Sequence, residues 1–317
     1  MKLAAVVIGR NEGDRLVRCL ASLKGRVAPI VYVDSGSTDG SVDAARAAGA
    51  LVVELNMAIP FTAARARNAG VDHLFAEGMS PDYIQFLDGD CELQAGWLDT
   101  ACAFLDGAPD VAVVCGRRRE CNPDGTIYNR LIDREWDTPV GQTDACGGDA
   151  LVRSEALRAV GGYNPRLIAG EEPELCLRLR QAGWKIWRLD AEMTLHDADI
   201  RRFGQWWQRA RRAGHAYAEG AFLHGGTPER YYVSQNRRAL IWGAGVPLAA
   251  MLGLLVSPWA LAILLLWPAQ VLRLKARGLS LSEAVFLTLC KLPEAQGIAG
   301  YHLGRLKGAS PRIIEYK

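Results

Sequence analysis

Over residues 1 to about 115 the chain alternates short apolar runs with longer helix-like stretches, and this alternation constrains its fold more than any other feature. The runs are Ala4–Ile8, Ile30–Val33, Leu51–Leu55, Tyr83–Leu87 and Val111–Cys115; the helix-like stretches between them lie at roughly Gly13–Leu23, Ser41–Ala48, Ala63–Ala76 and Gly96–Leu105. Short apolar runs of this kind fit strands buried on both faces of a parallel sheet. Strands alternating with helices predict an α/β fold with a doubly wound, mostly parallel sheet. Such sheets bind ligands beyond the carboxyl ends of their strands, so the residues that follow each run matter most. No GxGxxG follows the first run, because Gly9 and Gly13 have the wrong spacing, and this argues against a dinucleotide site.

The fourth run ends in Asp88-Gly89-Asp90. Gly89 lets the backbone turn tightly, so both carboxylates can face one side. Two hard oxygen ligands with room for water suit a divalent cation that also holds a diphosphate. A strand-to-loop turn with two solvated acids accounts for the same residues. The second run ends in Asp34, placed to accept a hydrogen bond from a ribose or a base N–H. Ser37, Thr38 and Asp39 read as caps of the next helix. Arg65 and Arg67 are two apart and do not share a helix face, so at most one is expected to enter a site.

The 317 residues allow one large domain with an attachment, and the net charge of +2 gives no polyanion signal, so no nucleic acid partner is expected. Eight cysteines without CxxC spacing argue against a zinc site or a disulfide framework and fit a reducing, cytosolic face. The N-terminus enters a strand directly and lacks the marks of a signal peptide.

Four stretches taken in order, Val7-Ile8-Gly9-Arg10-Asn11-Glu12, Asp34-Ser35-Gly36-Ser37-Thr38-Asp39-Gly40, Ala66-Arg67-Asn68-Ala69-Gly70 and Asp88-Gly89-Asp90, resemble the family 2 glycosyltransferases of the GT-A fold. The resemblance implies a sheet that binds a nucleotide-diphosphate sugar and an Asp-x-Asp element that helps hold Mg²⁺ or Mn²⁺. Asp34 would contact the nucleoside, with Ile8, Arg10 and Asn11 of the first motif beside it. Arg67 would lie near the phosphates, and Asp88 and Asp90 would serve metal and sugar. Ser35 stands where many members carry a second acid, and Arg10 where many carry an aromatic.

Residues 116–140, with Arg117-Arg118-Arg119, read as a charged excursion whose arginines are solvated. Asp144–Arg153 resembles the small-residue strand on the acceptor side, where glycine lets a sugar approach the backbone. Leu175, Leu179 and Ala182 give a helix buried on one side, and the dipole alone accounts for acids in its first turn. In the family this turn carries a Glu-Asp pair whose second acid is the general base. Glu171 and Glu172 stand there, with Glu172 in the base position, and burial beside Glu171 would raise its pKa into a useful range. His196 follows the last strand, where many GT-A enzymes complete the metal shell.

From Arg201 the character changes. Arg201–Arg212 mixes tryptophan with arginine, as interfacial membrane helices do. Ala239–Leu272 is apolar for about 34 residues, where one span needs about 20. Ser257-Pro258 offers a break, and Arg237-Arg238, Arg273, Lys275 and Arg277 flank both ends, predicting a hairpin with both ends cytoplasmic. The domain reading is 1–200 catalytic (1–115 nucleotide-sugar half, 116–200 acceptor half), 201–236 interfacial helices, 237–278 membrane hairpin and 279–317 amphipathic tail. The expected reaction is inverting transfer of one sugar to a membrane-held, most simply lipid-linked, acceptor on the cytoplasmic face of a bacterial inner membrane, in polysaccharide assembly. Gln205–Arg209 only approaches the processive Gln-x-x-Arg-Trp pattern. A polyprenyl-phosphate sugar transferase and a catalytically degenerate nucleotide-sugar-binding scaffold fit the same residues.

Overall fold

A computed structural model describes residues 2–308 and 314. The chain divides into two compact units, Met1–Leu167 with Glu171–Asp199, and Ile168–Gly170 with Ile200–Lys317.

In the first unit the predicted alternation is realised as β1 (Leu3–Gly9), α1 (Asp14–Leu23), β2 (Ile30–Asp34), α2 (Ser41–Ala47), β3 (Leu51–Glu54), α3 (Ala63–Ala76) and β4 (Tyr83–Asp88). The chain continues through β5 (Cys91–Leu93), α4 (Trp97–Gly107), β6 (Val111–Glu120), α5 (Ile127–Glu135), β7 (Gly141–Thr143), β8 (Ala150–Arg153), α6 (Ser154–Ala159), α7 (Glu171–Gln181) and β9 (Lys185–His196). One sheet holds all the strands in the order β3-β2-β1-β4-β8-β6-β9-β5, with β7 on β9. The half from β3 to β4 is parallel throughout, while the other half is antiparallel except for β6 beside β9.

Register then decides where the acids go. On β1, Gly9 is level with Asp34 of β2 and Ile8 with Asp88 of β4. Parallel strands therefore finish together, and both acids stand at one sheet edge. Because β8 runs antiparallel to β4, with Ala150 opposite Phe86, the start of β8 arrives at that same edge. The register of β6 against β9 slips between Cys115 and Arg118, a bulge of the kind that re-aims a side chain. Helix α3 lies so close to the sheet that a Cβ on Gly70 would sit 2.5 Å from Val6 Cγ1.

The second unit is helical: α8 (Phe203–His224), α9 (Val233–Leu240), α10 (Val246–Gly253), α11 (Leu266–Ala276), α12 (Leu281–Leu289) and α13 (Lys291–Leu306). The stretch expected at a membrane interface and the expected amphipathic tail are, along one side, buried against each other. A Cβ on Gly214 of α8 would meet Glu294 O of α13 at 2.0 Å, and one on Gly297 of α13 would meet Arg211 O at the same distance. Glycine at these positions lets two backbones touch, and Trp206 packs edge-on against Phe286, with ring centroids 5.0 Å apart. Residues 309–313 and 315–317 of the expected tail lie outside the described residues.

Between these helices runs the apolar segment. A π-helical turn, Ile241–Gly245, joins α9 to α10; the chain then reverses, and a 3₁₀ stretch, Pro258–Leu265, leads into α11. The limbs cross closely at the tip, where a Cβ on Gly253 would be 2.5 Å from Ala260 Cβ. Among the described residues, Pro258–Ala276 is the helix long and apolar enough to cross a membrane, at 19 residues. Around the reversal Leu255, Val256 and Trp259 are 84%, 90% and 86% exposed.

Candidate active site

Four charged side chains from three distant segments meet at the carboxyl edge of β4. Thr62 caps α3 by accepting from Arg65 N at 3.1 Å, and the helix then presents Arg67 inward. Arg67 is 2% exposed. Its Nη2 lies 2.9 Å from Asp88 Oδ1 and 3.0 Å from Glu172 Oε1, and its Nη1 lies 3.0 Å from Glu171 Oε1. Arg65, two residues earlier, instead donates to the carbonyls of Asn56, Ile59 and Pro60. The next residue, Asn68, exchanges two hydrogen bonds with the backbone of Tyr163, at 2.7 and 2.9 Å. The cluster closes over Gly148, where a Cβ would lie 2.7 Å from Arg67 Nη2, 2.8 Å from Asp88 Oδ2 and 3.2 Å from Glu172 Oε1. No side chain larger than hydrogen fits there without moving a charged group.

Burial opposes ionisation of Asp88, but Arg67 and Arg118 outweigh it and hold the carboxyl below its usual range. Glu172 goes the other way. Burial first, and the charge of Glu171 second, push its carboxyl up to about 7 against the pull of Arg67. Two acids on one arginine thus differ in protonation near neutrality, the pattern of a group tuned for proton transfer.

Asp90 lies beside His196, whose Nε2 is 3.4 Å from Asp90 Oδ1. The ligand atoms of Asp90, Cys91 and His196 lie within 4.8 Å of one another. Burial pushes the Cys91 thiol well up, and it donates to Asp90 Oδ1 at 3.6 Å, so it enters this group as a neutral thiol. A buried carboxylate oxygen and an imidazole nitrogen remain, with the opposite ring nitrogen, Nδ1, lacking a hydrogen-bond partner and lying 4.0 Å from Glu120 Oε2. This donor set fits Mg²⁺ or Mn²⁺ completed by water and phosphate oxygens. Asp88 falls in a different group, with Cys91 and Asp149.

At the β1–β2 end of the edge, Asp34 is buried and holds its own turn, accepting from Gly36 N at 2.9 Å, Ser37 N at 2.8 Å and Tyr32 Oη at 3.0 Å. Asn11, with φ 55°, locks the same loop: its N–H donates to Ser37 Oγ and its Oδ1 accepts from Thr38 N. Asp39 accepts from Ser41 N and Ser41 Oγ at the start of α2, whose N-cap is Gly40 rather than Ser37, Thr38 or Asp39. Ile8 contributes its carbonyl, which accepts from Gly89 N at 2.8 Å. Arg10 is exposed at the end of β1.

Residues 5–160 match the family described as Glycosyl transferase family 2. These residues carry a family 2 glycosyltransferase domain. The Haloferax volcanii glycosyltransferase AglE is 24% identical over 217 residues, 64% of this chain and 69% of its own. The Rhizobium meliloti succinoglycan biosynthesis protein ExoA is 25% identical over 216 residues, covering 62% of this chain and 64% of ExoA. The chain thus spans somewhat less than two thirds of ExoA's length. Among solved structures, the Pyrobaculum calidifontis mannosyltransferase PcManGT, in complex with GDP-Man and Mn²⁺, aligns with TM-score 0.65 at 19% identity, covering 94% of this chain and 87% of that one. At that identity the likeness establishes the GT-A fold.

The family motifs do not include two further charged groups at this edge. Arg118, expected in solvent, lies 3.1 Å from Asp88 Oδ2 through Nη2 and 3.0 Å from Asp149 Oδ2 through Nε. Asp149 is fully buried and accepts from Asp88 N at 3.1 Å and Thr194 Oγ1 at 2.8 Å. The arginine run is the second half of a strand rather than a loop, so Arg118 and its two neighbours point to opposite faces. Arg117 pairs with Asp133 at 2.8 Å and Arg119 with Glu192 at 2.7 Å.

Proposed function

We propose that this enzyme moves one sugar from a nucleotide-diphosphate donor to a hydroxyl of a membrane-held, lipid-linked acceptor, with inversion at the anomeric carbon and with Mg²⁺ or Mn²⁺. One observation carries the reading: Arg67, Asp88, Glu171 and Glu172 gather around Gly148 at a sheet edge that Asp90 and His196 share. Ile8, Arg10, Asn11 and Asp34 form the nucleotide end of the cleft. Asp90 and His196 would hold the ion, which when bound would supply positive charge against the departing diphosphate. Arg67, already bearing three carboxylates, keeps Asp88 fixed toward the donor.

Glu172 is the base. As the acceptor oxygen bonds to the anomeric carbon and the bond to the diphosphate oxygen breaks, the hydroxyl proton passes to the Glu172 carboxylate. A carboxyl held at about 7 is both partly ionised at neutral pH and basic enough to accept it. Glu171 stays paired to Arg67 and orients the helix turn that carries Glu172.

The apolar hairpin with basic residues at both ends supports attachment to a bilayer from the cytoplasmic side, and similarity to a succinoglycan biosynthesis protein supports a place in cell-surface polysaccharide assembly. A second reading, transfer to a polyprenyl phosphate, is favoured by the 3.0 Å contact between Glu172 Oε1 and Arg67, since a phosphate acceptor needs no base. The test is release of nucleoside diphosphate from a panel of nucleotide sugars by the full chain in lipid nanodiscs, with and without metal. Metal-dependent turnover of one donor is expected, and none with any donor contradicts the proposal. Undiminished transfer by Glu172→Gln selects the phosphate acceptor.

A further inference from the structure

We infer that Arg118 is a positioning residue: by clamping Asp88 to Asp149 it reserves Asp88 for the donor sugar and leaves the ion to Asp90 and His196. This deepens the metal-dependent transfer proposed above and rests on it.

The clamp begins with Asp149. This carboxylate has no exposed surface, and a buried charge persists only with a compensating partner. Its neutral partners are the Asp88 N–H and the Thr194 hydroxyl; Arg118 is the cation beside it, at 3.0 Å. Arg118 is itself 12% exposed and lies over the Trp136 ring, 4.9 Å from its centroid, with Cys91 Sγ 3.3 Å from Nη2. Its plane is thereby fixed by an aromatic face on one side and its edge by two acids. The bulge in the β6–β9 pairing aims it there.

Asp88 is the beneficiary. One oxygen takes Arg67 and the other takes Arg118, while its backbone N–H is held by Asp149. A carboxylate gripped by two guanidiniums is oriented in all directions and is surrounded by positive charge that repels a divalent ion. Its remaining lone pairs can still accept from sugar hydroxyls. Asp90 lies beside an imidazole, with His196 Nε2 3.4 Å from its Oδ1. The two acids of the Asp-x-Asp element therefore divide their work, and a guanidinium from a different strand enforces the division. Lysine cannot replace it, because a point charge does not reach two carboxylates with a rigid fork.

The experiment is a Mn²⁺ titration followed by electron paramagnetic resonance on the full chain without donor, for wild type, Asp88→Asn, Asp90→Asn and Arg118→Lys, paired with turnover of the donor found in the panel. Asp90→Asn is expected to weaken Mn²⁺ about tenfold or more, whereas Asp88→Asn and Arg118→Lys stay within about threefold of wild type. Arg118→Lys is expected to lower kcat about tenfold or more, and Arg118→Lys combined with Asp88→Asn to be no slower than Asp88→Asn alone. Asp149→Asn, nearly isosteric, serves in the same cycle if Arg118→Lys does not fold. Equal loss of Mn²⁺ from Asp88→Asn and Asp90→Asn, or additive losses in kcat, overturns the inference. Failure of the wild type to bind Mn²⁺ overturns the metal reading itself, and is seen in the same titration.

Discussion

The sheet edge around Gly148 and the helical hairpin around Leu255 depart from ordinary burial in opposite directions. At the edge, Arg67, Asp149 and Glu171 sit away from water and Asp88 is partly buried, each held by an oppositely charged neighbour. At the hairpin, large apolar side chains stand in the open with no charged residue between Arg238 and Arg273. Buried charge is costly unless paired, and a contiguous exposed apolar patch marks an interaction surface. The edge supplies its own counter-charges, whereas the exposed apolar surface points to an apolar companion.

The contrast breaks most readily at Glu172. Glu172→Gln keeps the shape of the cluster but removes the proton acceptor, and is expected to lower kcat by about 10²–10⁴ while the protein stays folded; steady-state kinetics beside a thermal melt checks both halves. On the apolar side, replacing Leu255, Val256 and Trp259 together by serine is expected to weaken vesicle binding about 10²–10³-fold. That estimate takes roughly 1.5–3 kcal/mol per fully inserted side chain and discounts it for partial insertion; flotation with anionic vesicles measures it, and catalysis on a water-soluble acceptor is expected to be unaffected.

How far the sequence foretold this arrangement depends on whether strand direction mattered. Asp34 and Asp88 were legible because parallel strands end on one edge, and an acid closing an apolar run marks that edge wherever it occurs. Arg67 was narrowed to one of two arginines by helix geometry, and the small residues around it left room for burial. Asp149 carried no such signal. It precedes the strand Ala150–Arg153, and only the antiparallel pairing of that strand with β4 brings its amino end to the site. Arg118 was hidden by composition: three arginines in a row look solvated until strand alternation and a bulge separate their faces. In the helical unit, tryptophan and arginine on α8 resembled an interfacial helix, yet Gly214 and Gly297 let α13 cover one side of it.

Smaller effects sharpen the picture of the edge. Gly148→Ala would place a methyl group 2.7 Å from Arg67 Nη2, and is expected to lower kcat about tenfold to a hundredfold with little change in melting temperature, since small misplacements of reacting groups are expensive in rate. The pH dependence follows from Glu172. With its carboxyl at about 7 rather than the ordinary 4.5, kcat/KM is expected to rise with pH up to about 7 and to level off above it. Stability moves the other way. A raised folded-state value means the contribution is complete below 4.5 and is lost as pH rises through about 7, so Glu172→Gln is expected to flatten that decline in urea melts taken between those limits.

The central claim is that Asp90 and His196 hold an ion on which sugar transfer depends. Nucleoside diphosphate release from the preferred donor, followed while Mn²⁺ is titrated into metal-stripped wild type and Asp90→Ala, tests it directly. The account predicts saturable activation of the wild type, abolished by chelator, and no activation of the variant. Equal turnover by the two proteins, or turnover indifferent to chelator, would contradict it.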